Sequence, residues 1–361
     1  MSLAEPQNQN KAAGVQTKPD GNFGSALAAE RTVRRASEKP IIRIRLISNS
    51  LQEWHDARIR FDCACPLEEC AGLFLWGAMV PEFLAFLGPR AWFLDEPRAQ
   101  SMWHTPIFRK AVRQLAPPEF LHHSNPDPRY RFPCVTHYGE PTCIDSPRRI
   151  DAAIAVVNNF GGRIWWIRDF VVGAATNFAI GPWLRQGVRV RNSFILQPCV
   201  ELFGSPESWN QFRRWPWSKS GAPANYRGHL GTNWFEERHI TALAQYRIVI
   251  CLENASLPYY FTEKLVNAAR AGCVPVYHAH PTVRDTFLKG ARWIDPADFG
   301  YDPSATLAAA RRCDFAEVQE RNRKWLQSDA VKATQGERVW SRIADHFVER
   351  ITSARLGSQC A

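Results

Sequence analysis

"ICLENASLPYYFTEKLVNAARAGCVPVY", from Ile250 to Tyr277, opens on an apolar run, breaks at Glu253-Asn254, and closes on a second apolar run after Gly272. Between the two runs lie Tyr259 and Tyr260, then Thr262-Glu263-Lys264 and an amphipathic stretch to Ala271. This is the pattern of strand, turn, helix and strand. Thr262 is placed to cap the helix and Gly272 to end it, since a left-handed residue there carries no side-chain penalty. Two short strands joined through a helix belong to a parallel sheet, whose ligands sit beyond the carboxyl ends of the strands. The start of such a helix presents backbone amides to an anion. Lys264 in the first turn has the wrong sign for the helix dipole and the right sign for a phosphate.

The same alternation extends in both directions. "IIRIRLIS" (41–48), "RAWFLDEPRA" (90–99), "IDAAIAVVNNFGGR" (150–163), "VELFG" (200–204) and "RIVICLEN" (247–254) read as strands, and "HITALAQY" (239–246) as a helix. "CAGLFLWGAMVPEFLAFLG" (70–88) mixes helical spacing with breakers at Gly77 and Pro81, and 104–122 reads as helix. The last helix covers about Arg338 to Ala354, with Trp340, Ile343, Phe347 and Ile351 on one face. The chain of 361 residues is long enough for two domains. The expected division is a polar disordered tail (1–40), an N-terminal Rossmann-like domain (41–150), a C-terminal one (151–335), and a closing helix and tail (336–361).

A net charge of +10, mostly carried by arginine, suits an anionic partner. No dense basic run or zinc-finger spacing supports nucleic acid, and none is expected as a partner. No apolar run reaches the roughly 18 to 20 residues of a membrane span, and residues 1–40 lack the apolar core of a secretory signal. A cytoplasmic protein is expected, with charge compatible with peripheral membrane contact. The ten cysteines, including Cys63, Cys65 and Cys70, are then expected to be reduced thiols. The 14 tryptophans are read as core first and as sugar-stacking residues second.

The stretch Tyr246–Tyr277 resembles the signature of the α-1,3/1,4-fucosyltransferase family (glycosyltransferase family 10), in the form of a bacterial-type member. The likeness is carried by Leu252-Glu253-Asn254-Ala255, by Tyr260-Phe261-Thr262-Glu263-Lys264, and by Val274-Pro275-Val276. "WIDPADF" (293–299) and "VVNNFGGRIWWIRDF" (156–170) resemble flanking segments of the same family, so the likeness covers about residues 152–300. It departs at Leu252 and Ala255, and in the long spacing from residue 156 to "VELFG".

The resemblance implies an α/β protein of the GT-B type, two Rossmann-like domains facing a central cleft. It implies an inverting transfer of fucose from GDP-fucose to a hydroxyl of an oligosaccharide or glycoconjugate, with an α-1,3-type linkage. Glu253, Asn254, Tyr260, Thr262, Glu263 and Arg163 would hold the donor, and Lys264 with Arg168 would neutralise the leaving diphosphate. Arg163 and Arg168 both fit the role by position, Arg168 the better. Glu96, where the strand read in "RAWFLDEPRA" ends, would be the general base, ahead of Glu140, and Asp95 is its confusable neighbour. No Asp-x-Asp follows a strand, so neither a metal nor another cofactor is expected to be obligatory.

Two other readings stand beside this one. The first is a GT-B transferase using another nucleotide sugar such as GDP-mannose. The second is a non-catalytic glycan- or nucleic-acid-binding protein, suggested by the basic, aromatic stretch 209–238. Residues 205–235 could equally be a lid over the donor or a surface insertion.

Overall fold

The computed structural model describes residues 41–48, 54–76, 81–93, 120–123, 125, 127–144, 150–156, 190–191, 193–204, 224–253 and 256–359. The expected α/β class holds: the described backbone builds two sheets that are parallel except at one edge. The first has the order β2-β3-β1-β4-β5-β6. Its strands are β1 (Ile42–Ser48), β2 (Trp54–His55), β3 (Ile59–Asp62), β4 (Gly72–Trp76), β5 (Arg90–Phe93) and β6 (Phe120–Leu121). Only β2 runs antiparallel to its neighbour. The second has the order β10-β9-β7-β8, from β7 (Ile150–Val156), β8 (Val200–Phe203), β9 (Tyr246–Ile250) and β10 (Val274–Val276).

Buried parallel strands have both faces covered, so they read as unbroken apolar runs, and β4 and β10 are buried at every position. Helix α1 (Glu237–Leu243) and helix α2 (Glu263–Arg270) cover one face of the second sheet through Ile240, Leu243, Leu265, Val266 and Ala269. On the other face Leu307 and Ala310 of α3 (Pro303–Arg312) meet Ile248, Ile250, Val274 and Val276. Gly272 adopts φ +63°, and the bonds Gly272 N to Ala269 O (2.8 Å) and Cys273 N to Ala268 O (3.0 Å) close α2 in a Schellman turn.

Three expectations are corrected. Residues 120–121, read as the end of a helix, form β6, because they complete an edge beside β5; 104–119 lie outside the described residues. Cys65 and Cys70 are joined by a disulfide rather than reduced, brought together by the single 3-10 turn Leu67–Glu69. The last helix, α4 (Gly336–Gln359), runs beyond the expected span of about Arg338 to Ala354 and beyond its apolar stripe. That stripe is where the periodicity puts it: Trp340, Ile343, Phe347 and Ile351 are buried among Ile44, Phe61, Phe74 and Phe93 of the first sheet.

Gly72 marks how closely α4 approaches. A Cβ there would lie 2.8 Å from the Pro89 carbonyl oxygen, 2.9 Å from Ile44 Cδ1 and 3.1 Å from Phe347 Cε1. The nearest obstacle is backbone and cannot rotate away. Gly72→Ala is therefore expected to cost about 2 kcal/mol by overpacking, read as a lowered midpoint in urea. An unchanged midpoint would mean that β4, β5 and α4 spread freely.

Candidate functional site

In a doubly wound parallel sheet the ligand crevice opens where the strand order reverses. In the second sheet β8 lies on one side of β7 and β9 on the other, so the reversal falls at the β7–β9 pair. Glu253 stands three residues past the end of β9, at that crevice. Its carboxylate is buried, with a side chain 3% exposed. It accepts from Thr262 N (3.0 Å), from the Thr262 hydroxyl (2.8 and 2.9 Å to the two oxygens), from Lys264 Nζ (3.0 Å) and from Tyr277 OH (3.1 Å).

Thr262 begins α2 as expected, yet its hydroxyl makes no capping bond to the helix. Instead it bonds Glu253 and accepts from Lys264 Nζ at 3.0 Å. Lys264 also faces Glu263 Oε1 at 3.6 Å, and its side chain keeps 25% exposure. The turn before the helix is strained: Tyr259 has φ +58°, which a bulky residue adopts only when its surroundings hold it there. Its N–H donates to Thr282 Oγ1 (2.8 Å), and the Arg131 guanidinium lies 4.0 Å over its ring.

Tyr260 is buried against Cys134 and Leu257, with the His123 ring at 5.2 Å and the His122 ring 3.8 Å beyond it. Of the expected residues, Glu253, Tyr260, Thr262, Glu263 and Lys264 thus lie on one turn and helix start. Asn254, Arg163, Arg168, Glu96 and Asp95 lie outside the described residues, and Glu140 is exposed on a connection.

One buried basic residue was not among those expected. Arg191 is 4% exposed, and burial lowers its pKa to about 10. Its signal in the sequence is faint: an arginine between Val190 and the buried pair Phe194–Ile195, just ahead of β8. The described part of the loop 205–235 is not loose. Tyr226 pairs with Leu202 of β8, and Asn225 Nδ2 donates to the carbonyls of Ile195 (2.7 Å) and Val200 (2.8 Å).

Two histidines near these elements are held neutral. Burial takes His123 down to about 3; burial, helped by the charge of Arg270, takes His137 to about 4. Both lie below the ordinary 6.5, so the unfolded chain takes up protons that the folded chain refuses. Stability is present above pH 6.5 and is lost as pH falls toward 4 and 3. At about 1.4 kcal/mol per unit for each group, the two together cost about 4 kcal/mol by about pH 5. The urea midpoint is expected to drop accordingly between neutral pH and about pH 5, and His123→Gln to remove part of the drop, since burial also lowers His239 and His280. An equal drop in that variant would locate the titration elsewhere.

No family model matches the chain. Rat (Rattus norvegicus) GDP-fucose protein O-fucosyltransferase 3 is 34% identical over 73 residues, which is 20% of this chain and 15% of that protein. An alpha-(1,4)-fucosyltransferase of Arabidopsis thaliana is 36% identical over 67 residues, 19% of this chain and 16% of that one. The chain therefore spans only a small part of these relatives' length. Among solved structures, an alpha1,3-fucosyltransferase superposes with a TM-score of 0.42 at 12% identity, over 86% of this chain and 91% of that chain. A UDP-forming alpha,alpha-trehalose-phosphate synthase from Burkholderia xenovorans gives 0.44 at 10% identity, over 92% and 98%.

Proposed function

We propose that this chain is an inverting GT-B fucosyltransferase, moving fucose from GDP-fucose to a glycan hydroxyl. One observation carries the reading: Glu253, Thr262 and Lys264, three residues of the fucosyltransferase-like motif, converge at the crevice of a parallel sheet. The short matches to two fucosyltransferases point the same way.

On this reading the second sheet takes the nucleotide sugar and the first the acceptor. Glu96, three residues past the end of β5, accepts the proton of the attacking acceptor hydroxyl. The bond from the sugar's anomeric carbon to the β-phosphate oxygen breaks with inversion, and GDP departs with the electron pair. Lys264 and an arginine offset the growing negative charge, the work a metal does elsewhere. Arg191 joins Arg163 and Arg168 as a candidate for that arginine, and it is the one whose surroundings are described. A guanidinium already stripped of water gains more from a diphosphate than an exposed one.

Calorimetric titration with GDP-fucose, GDP-mannose and UDP-galactose tests the reading. Micromolar binding of GDP-fucose alone supports it, preference for GDP-mannose redirects it to another donor, and binding of none overturns it. If Arg191 serves the leaving group, Arg191→Ala lowers turnover about a hundredfold or more, and Arg191→Lys restores part of it. Unchanged turnover in Arg191→Ala would return the role to Arg163 or Arg168.

A further inference from the structure

A carboxylate has about four acceptor sites. At Glu253 this chain supplies four donors of its own: the Thr262 amide, the Thr262 hydroxyl, Lys264 Nζ and the Tyr277 phenol. The acid that the motif suggests as a donor contact is therefore already saturated from within. Tyr277 follows β10 directly and is completely buried. Burial, reinforced by the Glu253 charge, drives its phenol pKa well above the ordinary value, so it remains a hydrogen-bond donor. Of the charged pair only Lys264 reaches outward, with 25% of its side chain exposed against 3% for Glu253.

We propose that Tyr277 and Glu253 are positioning residues, a buried bracket that fixes the Lys264 ammonium in place while neither touches the sugar. The bracket assembles residues from three places: the end of β9, the start of α2 and the end of β10. It explains why Thr262 forgoes its helix cap, since the same hydroxyl both donates to Glu253 and accepts from Lys264. What Lys264 faces, a diphosphate, rests on the fucosyltransferase reading; the bracket itself does not.

The two roles for Glu253 predict different ligand dependence. If Glu253 held the sugar, Glu253→Gln would weaken GDP-fucose and leave GDP, which has no sugar, untouched. A bracket behind Lys264 weakens both by the same factor, about tenfold, the scale of one hydrogen bond to a charged group. Tyr277→Phe, which deletes only the hydroxyl, is expected to do the same.

A second readout needs no nucleotide. Reductive methylation of the full chain, followed by mass spectrometry, reports how tightly each lysine is held. Lys264 is expected to react several-fold faster in Tyr277→Phe and in Glu253→Gln, with Lys289 and Lys332 unchanged as internal references. Faster reaction at all three lysines would signal partial unfolding, and Thr262→Val, which removes a different arm, then decides. Unchanged Lys264 labelling in Tyr277→Phe and Thr262→Val overturns the bracket, as does loss of GDP-fucose binding with GDP binding intact in Glu253→Gln. Should the unaltered protein bind neither nucleotide, the fucosyltransferase reading falls, and labelling alone judges the bracket.

Discussion

Trp340→Ala is expected to destabilise the protein by about 3 to 5 kcal/mol, the cost of emptying a large aromatic site in a packed core. Trp340 is 3% exposed and lies inside an aromatic box. Its ring stacks on Trp54 at 5.8 Å and 8° and meets Phe61 at 5.1 Å, Trp76 at 5.5 Å and Phe74 at 5.6 Å. Four neighbours lose their contacts together, and strands flanked by Gly72 and the Pro89 carbonyl have little room to collapse inward. A domain holds only about 5 to 15 kcal/mol in reserve, so this one side chain is a large fraction of it.

The ion pair on the same helix is a useful contrast. Asp345 meets Arg58 at 2.5 Å, but both side chains are about half exposed, at 59% and 44%. Exposed pairs contribute at most about 1 kcal/mol, so Arg58→Ala should move the urea midpoint far less than Trp340→Ala. If the two variants lost equal stability, the aromatic box would not be what fastens α4 to the first sheet.

That attachment is also where sequence reading stops. A stripe of Trp340, Ile343, Phe347 and Ile351 shows that α4 has a buried face, because spacing alone sets which residues line up. It does not show that the cover is a sheet whose strands begin near residue 42, because periodicity holds no information about partners distant in the chain. The strands β7, β9 and β10 were legible for a complementary reason: burial on both faces turns a parallel strand into a plain apolar run, whereas β4 was masked by the helical spacing of the residues after it. Gly272 was legible because only a left-handed residue closes α2.

The site divides the same way. Glu253, Thr262 and Lys264 could be recognised because their chemistry is out of place at a strand end and a helix start. Arg191, His123 and Tyr277 could not, since a lone arginine, histidine or tyrosine in an apolar setting carries no spacing rule. Tyr277 read simply as the continuation of a strand. Only the fold, which carries β10 back beside β9, brings its hydroxyl to Glu253.

Lys264→Ala is expected to separate what this site does for binding from what it does for stability. On the binding side, if the proposed reading holds, the variant loses the cation assigned to the diphosphate, and affinity for GDP and GDP-fucose should fall about a hundredfold or more. On the stability side, Glu253 keeps its bonds from Thr262 and Tyr277 but loses its only described positive partner within 4 Å. Stranding a buried charge costs about 3 to 5 kcal/mol; with Lys264 partly solvated, about 2 kcal/mol is the fitting expectation here. Lys264→Arg keeps the charge, but its planar fork cannot copy a point contact shared between Glu253 and Thr262, so it should recover only part of either loss. The informative variant is Lys264→Ala combined with Glu253→Gln. With no lone charge left inside, urea unfolding should return toward the unaltered protein, while nucleotide affinity stays low because the Lys264 ammonium no longer stands at the start of α2. Recovery of both would mean that Lys264 serves the fold alone, and GDP bound normally by Lys264→Ala would take the diphosphate away from this turn altogether.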